Sequence, residues 1–561
     1  MDTGIPMDTG TGTGMKTNAN WLVATTGILC YCFAGPAMSQ TPGSVITPIA
    51  TPSGQNVPGA ASVPNLSTRS ESASEEPATT GAWTIVPSIR LTETLTDNIN
   101  LSSTDKQSGL ISQLSPGIRI DARTARLKMF LNYQLDAIAY STGNNGNQVQ
   151  NYLNAFGTLE AVDNWLFLDF GGQISQQVIN QFGQQSSSNA FNTGNTTETS
   201  TFFISPFIRG QLGGSADYFL RYNTSVTNSQ DSALSDVTIS QWLGQIKGNT
   251  TFQNLNWAID GSQQNTDYSQ GRDYDDSRTR ALLIYRLFPE FRISGSGGYE
   301  SNNYQSLNNE GQGTYGTGFD WIPTERTQAS GFWEHRFFGT GHNVLLSHRF
   351  PLSSIRYTDT KDVALIPNNF TNAGLGTVYD QYFQIFASLI PDPVNRDTYV
   401  RNLLNQAGIA PNAQAVNNYL TNRPQVQRNQ RLSLVLFGSR NAITFIAARS
   451  NSQPLTLAPN GLDGIVSESG TVTQQGYAVS FSHRLTQLTG LNLLASRQKN
   501  KSGLTNAIDT TLTAYQIGIS TRLGAKTVGA LNARHQDFSG SDLTTTPYKE
   551  NALIASVTMV F

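Results

Sequence analysis

The sequence predicts an all-β fold, a transmembrane antiparallel outer-membrane β-barrel of about 22 strands, with roughly 20 to 24 as the range. Three observations predict it. Apolar and polar residues alternate along most of the chain after Trp83, the connections between the alternating segments are short and long in turn, and the composition is poor in charge but rich in uncharged polar residues. Together they favour strands with one apolar face and one uncharged polar face.

The alternation has a period of two, which is the period of a β-strand. In ARLKMFLNYQLDAIAY (125–140), apolar side chains stand at every second position from Leu127 onward, while Asn132 and Gln134 lie on the other face. The last residues of the chain, NALIASVTMVF, alternate in the same way and end on an aromatic residue. We therefore expect Phe561 to end the final strand and to serve as the C-terminal signal that the outer-membrane assembly machinery recognises.

The connections between these segments alternate in length. One set is tight and built from turn-forming residues, such as GGS (213–215) and FPE (288–290). The other set is longer and polar, such as STGNNGNQVQ (141–150) and QQSSSNAFNTGNTTETS (184–200). Short turns at one end and long loops at the other are typical of an outer-membrane barrel, whereas a β-sandwich has no reason for that asymmetry. An even strand count would place both termini of the barrel in the periplasm.

Composition limits the class of protein. Charged residues make up 13% of the 561 residues, the net charge is −3, and the mean hydropathy is −0.31. Because the charge is nearly balanced, no general attraction to nucleic acid is expected. Low charge and low hydropathy also suit disordered low-complexity chains, but the 10% of aromatic residues does not. The expected surroundings are therefore outer-membrane lipid rather than nucleic acid.

The first part of the chain has the features of an export signal. The run WLVATTGILCYCFAGPAMSQ (21–40) has an apolar centre followed by small residues before Gln40. A membrane anchor helix is the alternative interpretation. Cys30 and Cys32 lie in this run, so the exported protein is expected to fold without disulfide bonds. The predicted divisions are 1–39 for the leader and signal peptide, 40–81 for a flexible linker rich in Pro, Ser and Thr, and 82–561 for the barrel.

One stretch, residues 361–427, does not alternate and instead shows helical spacing. Pro391 interrupts it, and Asp392-Pro393 is a pair typical of a helix start. We interpret the stretch as a helical insertion in one long loop, acting as a lid or plug, with a surface cap as the alternative. A barrel of about 22 strands is wide enough to need a plug. The expected apolar face of the insertion consists of Tyr379, Tyr382, Phe383, Phe386, Tyr399 and Leu403.

Arginine recurs in one register at the ends of four predicted strands. The apolar residue after each arginine falls on the outward face, so the arginines are expected to face the lumen near its periplasmic mouth. One interpretation is a cationic ring that favours anionic solutes. The favoured interpretation is structural, with these arginines paired to inward acids such as Glu334, since charged rings are common in barrels whatever passes through them. The four are Arg286, Arg349, Arg484 and Arg522.

The sequence predicts no enzyme, no cofactor and no metal site. It contains no His-x-x-x-His, no phosphate-binding glycine loop and no Gly-x-Ser-x-Gly elbow. The acidic segment DYDDSR (273–278) is interpreted as a solvated loop rather than a calcium site. A hydrolase with a serine at the rim of the lumen stays as an alternative. Four of the five histidines are in register with the outward face: His335, His348, His483 and His535.

Three stretches carry a resemblance to a known family: WTIVPSIRLTETLTDNINL (83–101), RFFGTGHNVLLSHRF (336–350) and FASLIPDPVNRDTYVRNLLNQAG (386–408). With these stretches the chain resembles the outer-membrane β-barrel protein family associated with the PEP-CTERM/exosortase system. The resemblance spans the whole predicted barrel. It implies a Gram-negative bacterium that sorts exported proteins with an exosortase and makes extracellular polysaccharide. It implies no catalytic residues.

Two functional hypotheses follow. The first is a pore or export conduit, gated by residues 361–427, that passes exopolysaccharide or works with polysaccharide-export components. Uncharged lumen residues such as Asn132, Gln134 and Gln516 suit this, because they exchange hydrogen bonds with sugars and water at little net cost. The alternative is a plugged, non-conducting scaffold or docking protein for surface or biofilm components. A TonB-dependent transporter is disfavoured, because residues 41–81 are too short for its amino-terminal plug domain.

Overall fold

The structure, a computed structural model, describes the barrel and a small part of the insertion. The described residues are 82–142, 146–231, 234–364, 383, 396–397, 399–401, 424–455, 470–503, 508–541 and 546–561. The predicted leader and linker lie outside them. The strands are β1 (Trp83–Thr96), β2 (Gly109–Arg123), β3 (Leu127–Tyr140), β4 (Gln148–Val162), β5 (Leu166–Val178), β6 (Thr196–Leu212), β7 (Ala216–Ser229), β8 (Val237–Asn249), β9 (Leu255–Tyr268), β10 (Tyr274–Phe288), β11 (Phe291–Asn302), β12 (Glu310–Thr324), β13 (Thr327–Arg336), β14 (Gly339–Arg349), β15 (Ser353–Ala364), β16 (Gln425–Phe437), β17 (Asn441–Pro454), β18 (Val472–Arg484), β19 (Thr489–Ser502), β20 (Asp509–Gly524), β21 (Thr527–Gly540) and β22 (Tyr548–Val560).

The strands form one closed antiparallel barrel. Each strand pairs with the strands before and after it, and β1 pairs with β22, so the sheet of 22 strands has no free edge. The closing pair runs from Ser88 opposite Val560 to Thr96 opposite Ala552. At its end, the backbone amide of Phe561 donates a hydrogen bond of 2.9 Å to the carbonyl of Pro87. The predicted fold class and strand number are confirmed.

The two ends of the barrel differ in the length of their connections. At one end, the short-turn end, every connection between strands has two to five residues. These turns use residues that accept a left-handed backbone, such as Asn164 (φ 56°) and Gly213 (φ 56°). At the other end, the long-loop end, most connections are longer, and the Phe337-Phe338 turn between β13 and β14 is the shortest. Both termini of the barrel lie at the short-turn end.

The two faces of the wall differ in exposure and polarity. On β10, Leu283 and Tyr285 are exposed, whereas Arg278 and Arg280, which lie on the opposite face of the same strand, are buried. Register carries this division from strand to strand, since Leu283 lies opposite Trp257 of β9. The outward face is apolar, as contact with lipid requires, and the lumen face holds the polar and charged side chains. Among the described residues, no helix is long and apolar enough to span a bilayer.

Two predicted boundaries differ from the structure. β15 continues to Ala364 and β16 begins at Gln425, so the ends of the predicted insertion (361–427) belong to strands. The polar residues at these ends hide the alternation, because both faces of the wall carry charge there. The acidic segment 273–278, interpreted as a loop, is strand from Tyr274 onward.

Candidate functional site

The lumen face between β9 and β15 carries a network of buried ion pairs. Its arginines come from β10 and β13, and its acids from β9, β11, β13 and β15. Such pairs are costly to desolvate, but each becomes essential once it is buried, because removing one partner leaves an unpaired charge. The pairs are Arg280 with Asp260 (3.0 Å), Arg278 with Glu334, and Arg336 with Glu300 (2.8 Å) and Asp362 (2.5 Å).

Aromatic rings cover this network at the long-loop end. Tyr304, in the connection between β11 and β12, is fully buried, and its ring centroid lies 5.9 Å from that of Tyr274 and 5.5 Å from that of Phe337. The guanidinium of Arg336 lies 5.2 Å from the ring centroid of Phe338. Burial raises the pKa of the Tyr304 hydroxyl well above its ordinary range, so the cover stays uncharged. The rings therefore exclude water from the ion pairs beneath them.

A second segment, the lumen loop (residues 179–195, between β5 and β6), folds into the barrel. Its backbone is held by strands far from its own. The carbonyl of Gln181 accepts a hydrogen bond of 2.7 Å from Nδ2 of Asn500 on β19. The hydroxyl of Tyr548 on β22 donates one of 2.6 Å to the carbonyl of Gln185. Because these partners lie on the lumen face, the loop runs inside the wall rather than out into solvent.

The other half of the lumen loop is fixed by apolar packing. Phe191 is almost fully buried, and the guanidinium of Arg534 on β21 lies 5.3 Å from its ring centroid. On the opposite side, the hydroxyl of Tyr140 on β3 donates a hydrogen bond of 2.7 Å to the carbonyl of Ala190. The loop thereby covers the upper lumen from β19 round to β5. Its apolar cluster consists of Ile99, Leu101, Ile111, Ile138, Ala190, Phe191, Leu512, Phe538 and Tyr548.

Described residues of the insertion also contact the lumen face. Asp397 is fully buried, and its Oδ2 lies 3.4 Å from Nη2 of Arg119 on β2. Within the insertion, Nε of Arg401 donates a hydrogen bond of 2.7 Å to Oδ1 of Asp397. The ring of Phe383 lies 6.3 Å, centroid to centroid, from that of Phe130 on β3. Arg119 and Phe130 both occupy lumen-facing positions, so these insertion residues lie inside the barrel.

The position of these contacts shows how far the insertion reaches. It leaves the wall at the long-loop end between β15 and β16, whereas β2 lies nine strands from β15 around the barrel of 22. Arg119 is near Arg123, where β2 ends at the short-turn end, and Phe130 is near Leu127, where β3 begins. The described insertion residues Asp397 and Phe383 therefore lie against the wall on the far side of the lumen, close to the short-turn end.

The four predicted lumen arginines occupy lumen-facing positions at the short-turn end, as their alternation with exposed outward residues shows. Their predicted pairing with Glu334 is wrong, because that acid lies higher in the lumen and pairs with Arg278. In the part of the chain that the structure describes, none of the four is within ion-pair distance of a carboxylate. Their role as a cationic ring stays a prediction. They are Arg286, Arg349, Arg484 and Arg522.

The predicted apolar face of the insertion is described at two positions. Phe383 packs on the wall as given above, and Tyr399 is 38% exposed, so it is only partly covered. Tyr379, Tyr382, Phe386 and Leu403 lie outside the described residues. At the chain end, Phe561 is 58% exposed beside the closing strand pair. Its recognition by the assembly machinery stays a prediction.

Sequence reasoning missed the inward fold of the lumen loop. Its composition, rich in Gln, Ser, Asn and Thr, is that of an exposed connection. The available signal was the pair of aromatic residues, Phe182 and Phe191, which a solvated loop has no reason to carry and which are both buried. Among the described residues of the whole chain, no three His, Cys, Asp or Glu side chains are grouped so that they could hold a metal ion.

No protein-family model matches the chain, and no functionally characterised protein matches it in sequence. Solved structures of barrels do match it. The siderophore receptor PirA from Pseudomonas aeruginosa is 8% identical, with 85% of this chain and 80% of that chain covered and a TM-score of 0.34. The FrpB iron transporter from Neisseria meningitidis is 11% identical, with 85% and 81% covered and a TM-score of 0.33. The outer membrane channel DcaP of Acinetobacter baumannii is 8% identical, with 85% and 97% covered and a TM-score of 0.28.

The class of the protein follows from its own strand pairing. A closed barrel with an apolar outward face, short turns at one end and long connections at the other is the architecture of bacterial outer-membrane proteins. This chain is an outer-membrane β-barrel. The resemblance to the PEP-CTERM/exosortase-associated family, and with it the link to polysaccharide, stays a prediction.

A separate buried ion pair stabilises the wall of this barrel. Nη2 of Arg221 on β7 lies 2.9 Å from Oδ2 of Asp169 on β5, and both side chains are almost fully buried. The hydroxyl of Thr158 donates a hydrogen bond of 2.7 Å to Oδ1 of the same acid. The guanidinium also lies 4.4 Å from the ring centroid of Phe207. With the ring of Phe219 at 5.5 Å, the arginine has one acid and two rings to compensate its desolvation.

Asp169→Ala should lower the stability of the barrel by about 3 to 5 kcal/mol, because it leaves the Arg221 charge buried and unpaired. The measurement is the urea midpoint for loss of the folded form on unheated SDS gels. The control is Asp217→Ala, since Asp217 faces Lys247 at 4.0 Å in a half-exposed pair worth at most about 1 kcal/mol. Equal midpoints for the two variants would contradict the assignment.

Proposed function

We propose that this protein is a gated outer-membrane conduit whose lumen is closed at rest by the insertion between β15 and β16. The observation that carries the proposal is the ion pair between Asp397 and Arg119, which holds the insertion against the far wall near the short-turn end. A barrel of 22 strands is too wide for its wall side chains to fill, so a segment lodged across it decides whether solute passes.

The chemistry of these contacts suits a segment that moves. Among the described residues, the insertion meets the wall through an ion pair at Asp397 and an aromatic contact at Phe383, and both groups can be rehydrated or repacked without breaking a strand. The wall itself is closed by 22 backbone-paired strands, so it stays intact when the insertion leaves. In the proposed orientation the short-turn end and both termini of the barrel face the periplasm.

The proposed cargo is a polar, largely uncharged polymer or oligomer, with extracellular polysaccharide as the candidate that the family resemblance suggests. Supporting this, Asn132, Gln134 and Gln516 occupy lumen-facing positions, where amides can exchange hydrogen bonds with hydroxyl groups. The alternative proposal, a non-conducting scaffold, is favoured by one observation: the lumen loop is held by buried apolar contacts around Phe191 in addition to its hydrogen bonds to the wall.

The deciding experiment is single-channel recording in planar bilayers. Residues 366–422 are replaced by a short Gly-Ser linker, which leaves β15 and β16 whole. We expect the wild-type protein to be silent or to open rarely, and the deletion variant to conduct steadily. The control shortens the β17–β18 connection between Pro454 and Val472 by the same kind of linker and should behave as wild type. Equal steady current in wild type and deletion would show an open pore, and silence in both would favour the scaffold.

A further inference from the structure

The outward face of five neighbouring strands, β15 to β19, carries a concentration of basic residues near the long-loop end. Register places them on one surface. Lys361 lies opposite Arg428, and Gln475 of β18 lies between Arg449 and Lys499. Each of them alternates with lumen-facing residues along its strand, so they point away from the lumen. The basic band consists of Lys361, Arg428, Arg449, Arg497, Lys499 and Lys501.

The rest of the wall has no counterpart to the basic band. Among the other described strands, the lysines and arginines fall on lumen-facing positions, apart from Lys549 on β22. That lysine lies 3.1 Å from Asp537 on the neighbouring strand, so its charge is compensated. Among the described strands, uncompensated outward basic residues are therefore confined to one side of the barrel. Basic residues that only marked the membrane boundary would be spread around the whole barrel.

The carboxylates on this surface are too few to neutralise it. Oδ2 of Asp359 lies 2.6 Å from Nη2 of Arg428, and Oδ2 of Asp509 lies 2.9 Å from Nζ of Lys499. Among the described residues, no carboxylate is within ion-pair distance of Arg449, Arg497 or Lys501, and all three are exposed. The basic band therefore carries an excess of positive charge on a surface that faces lipid.

We propose that the basic band binds the phosphate groups of a phosphorylated glycolipid in the outer leaflet, the class to which lipid A belongs. The inference rests on the proposed orientation, which places the long-loop end at that leaflet. Arginine and lysine at this depth meet headgroup phosphates, and arginine binds them with paired hydrogen bonds. At the lower edge of the band, directly opposite Arg497, Tyr477 is 52% exposed on the same face, where an aromatic ring suits the boundary between headgroup and acyl chain.

The spacing also favours a ligand with more than one phosphate. The band spans five strands, and neighbouring strands lie about 4.8 Å apart, so its width is on the order of 20 Å. Gln430, Asn451 and Gln475 lie among the cations on the same face and can hydrogen-bond sugar hydroxyls. A phospholipid with a single phosphate and a small headgroup would use only part of this surface.

The test measures binding of bisphosphorylated lipid A to the full-length detergent-solubilised protein by native mass spectrometry. The triple variant R449Q/R497Q/K501Q removes three exposed cations that have no carboxylate within ion-pair distance, and it leaves the ion pairs of Arg428 and Lys499 in place. We expect its affinity for lipid A to fall at least about ten-fold. The matched control, R126Q/R326Q/R440Q, removes three arginines from short turns at the other end and should bind as wild type.

Two further probes separate the possible ligands. Monophosphorylated lipid A should bind the wild-type protein several-fold more weakly, and added salt should weaken binding of the bisphosphorylated form. Phosphatidylglycerol is the competing lipid. If it binds as tightly as lipid A and loses affinity equally in the triple variant, the basic band is a general anionic-lipid surface and the glycolipid assignment is overturned. Unchanged lipid A binding in a folded triple variant would overturn the site itself.

Discussion

Asp397→Ala is expected to turn the rarely opening protein into one that opens frequently, with no change in the barrel itself. Asp397 is fully buried and faces both Arg119 and Arg401. Without it, Arg401 loses its ion pair with Asp397 inside a low-dielectric lumen, while Arg119 keeps the carboxylate of Asp121 at 2.7 Å. Breaking a buried ion pair by removing one partner costs about 3 to 5 kcal/mol. The cost falls on the docked state alone, because an undocked insertion exposes its charges to water.

At the lower end of that cost, the equilibrium between docked and undocked insertion shifts about 100-fold. The measurement is open probability in single-channel recordings of Asp397→Ala and wild type, with single-channel conductance as the second readout. Conductance should stay that of the wild-type open state, because the wall and the inserted segment are both still present. The control is Asp163→Ala, whose partner Arg126 lies 3.0 Å away in an exposed pair at a short turn. An unchanged open probability in Asp397→Ala would show that this ion pair does not hold the gate.

The barrel could be predicted from the sequence because its wall obeys one local rule. One face of each strand meets lipid and the other the lumen, so the period of two survives along most of the wall and is hidden only where both faces are polar, as at 361–364 and 425–427. Turn residues such as Gly213 mark one end for a local reason as well, since they supply the backbone angles that the turn requires. Where local periodicity and turn residues decide the structure, that structure can be predicted from the sequence.

The contents of the lumen could not be predicted in the same way. Alternation shows that Arg278 and Glu334 face inward, but it does not say that they meet, because that depends on the depth of each residue in two strands that are not neighbours. The lumen loop is a harder case. Its contacts, from Gln181 to Asn500, join residues more than 300 positions apart. Only the closure of the barrel brings them together, and the composition of the loop does not indicate which strands the closed barrel places beside it.

Removing the lumen loop and the insertion together should give a larger channel than removing either one. The lumen loop lies over the wall from β5 round to β19, which is nine of the 22 strands, and the insertion contacts β2 and β3 lower down. We expect replacement of residues 181–193 by Gly-Ser to leave the resting protein silent, because the insertion still lies across the lumen. The insertion deletion should conduct, and the double deletion should conduct roughly two-fold more, since a wider cross-section becomes free.

The expected order of conductance among the three variants follows from the different contacts that hold the lumen loop and the insertion. The lumen loop is held by an apolar cluster that includes Phe191 and Tyr548. Partial undocking of the loop would leave a cavity in this cluster, which costs free energy. We therefore expect the lumen loop to narrow the lumen permanently, while the insertion, which meets the wall through the Asp397 ion pair and the Phe383 ring, is the part expected to move. Phe191→Ala tests the distinction without a deletion. It should loosen the loop, and the variant should still be silent, because its insertion is unchanged. Current in the loop variant alone would reverse the assignment and make residues 179–195 the gate.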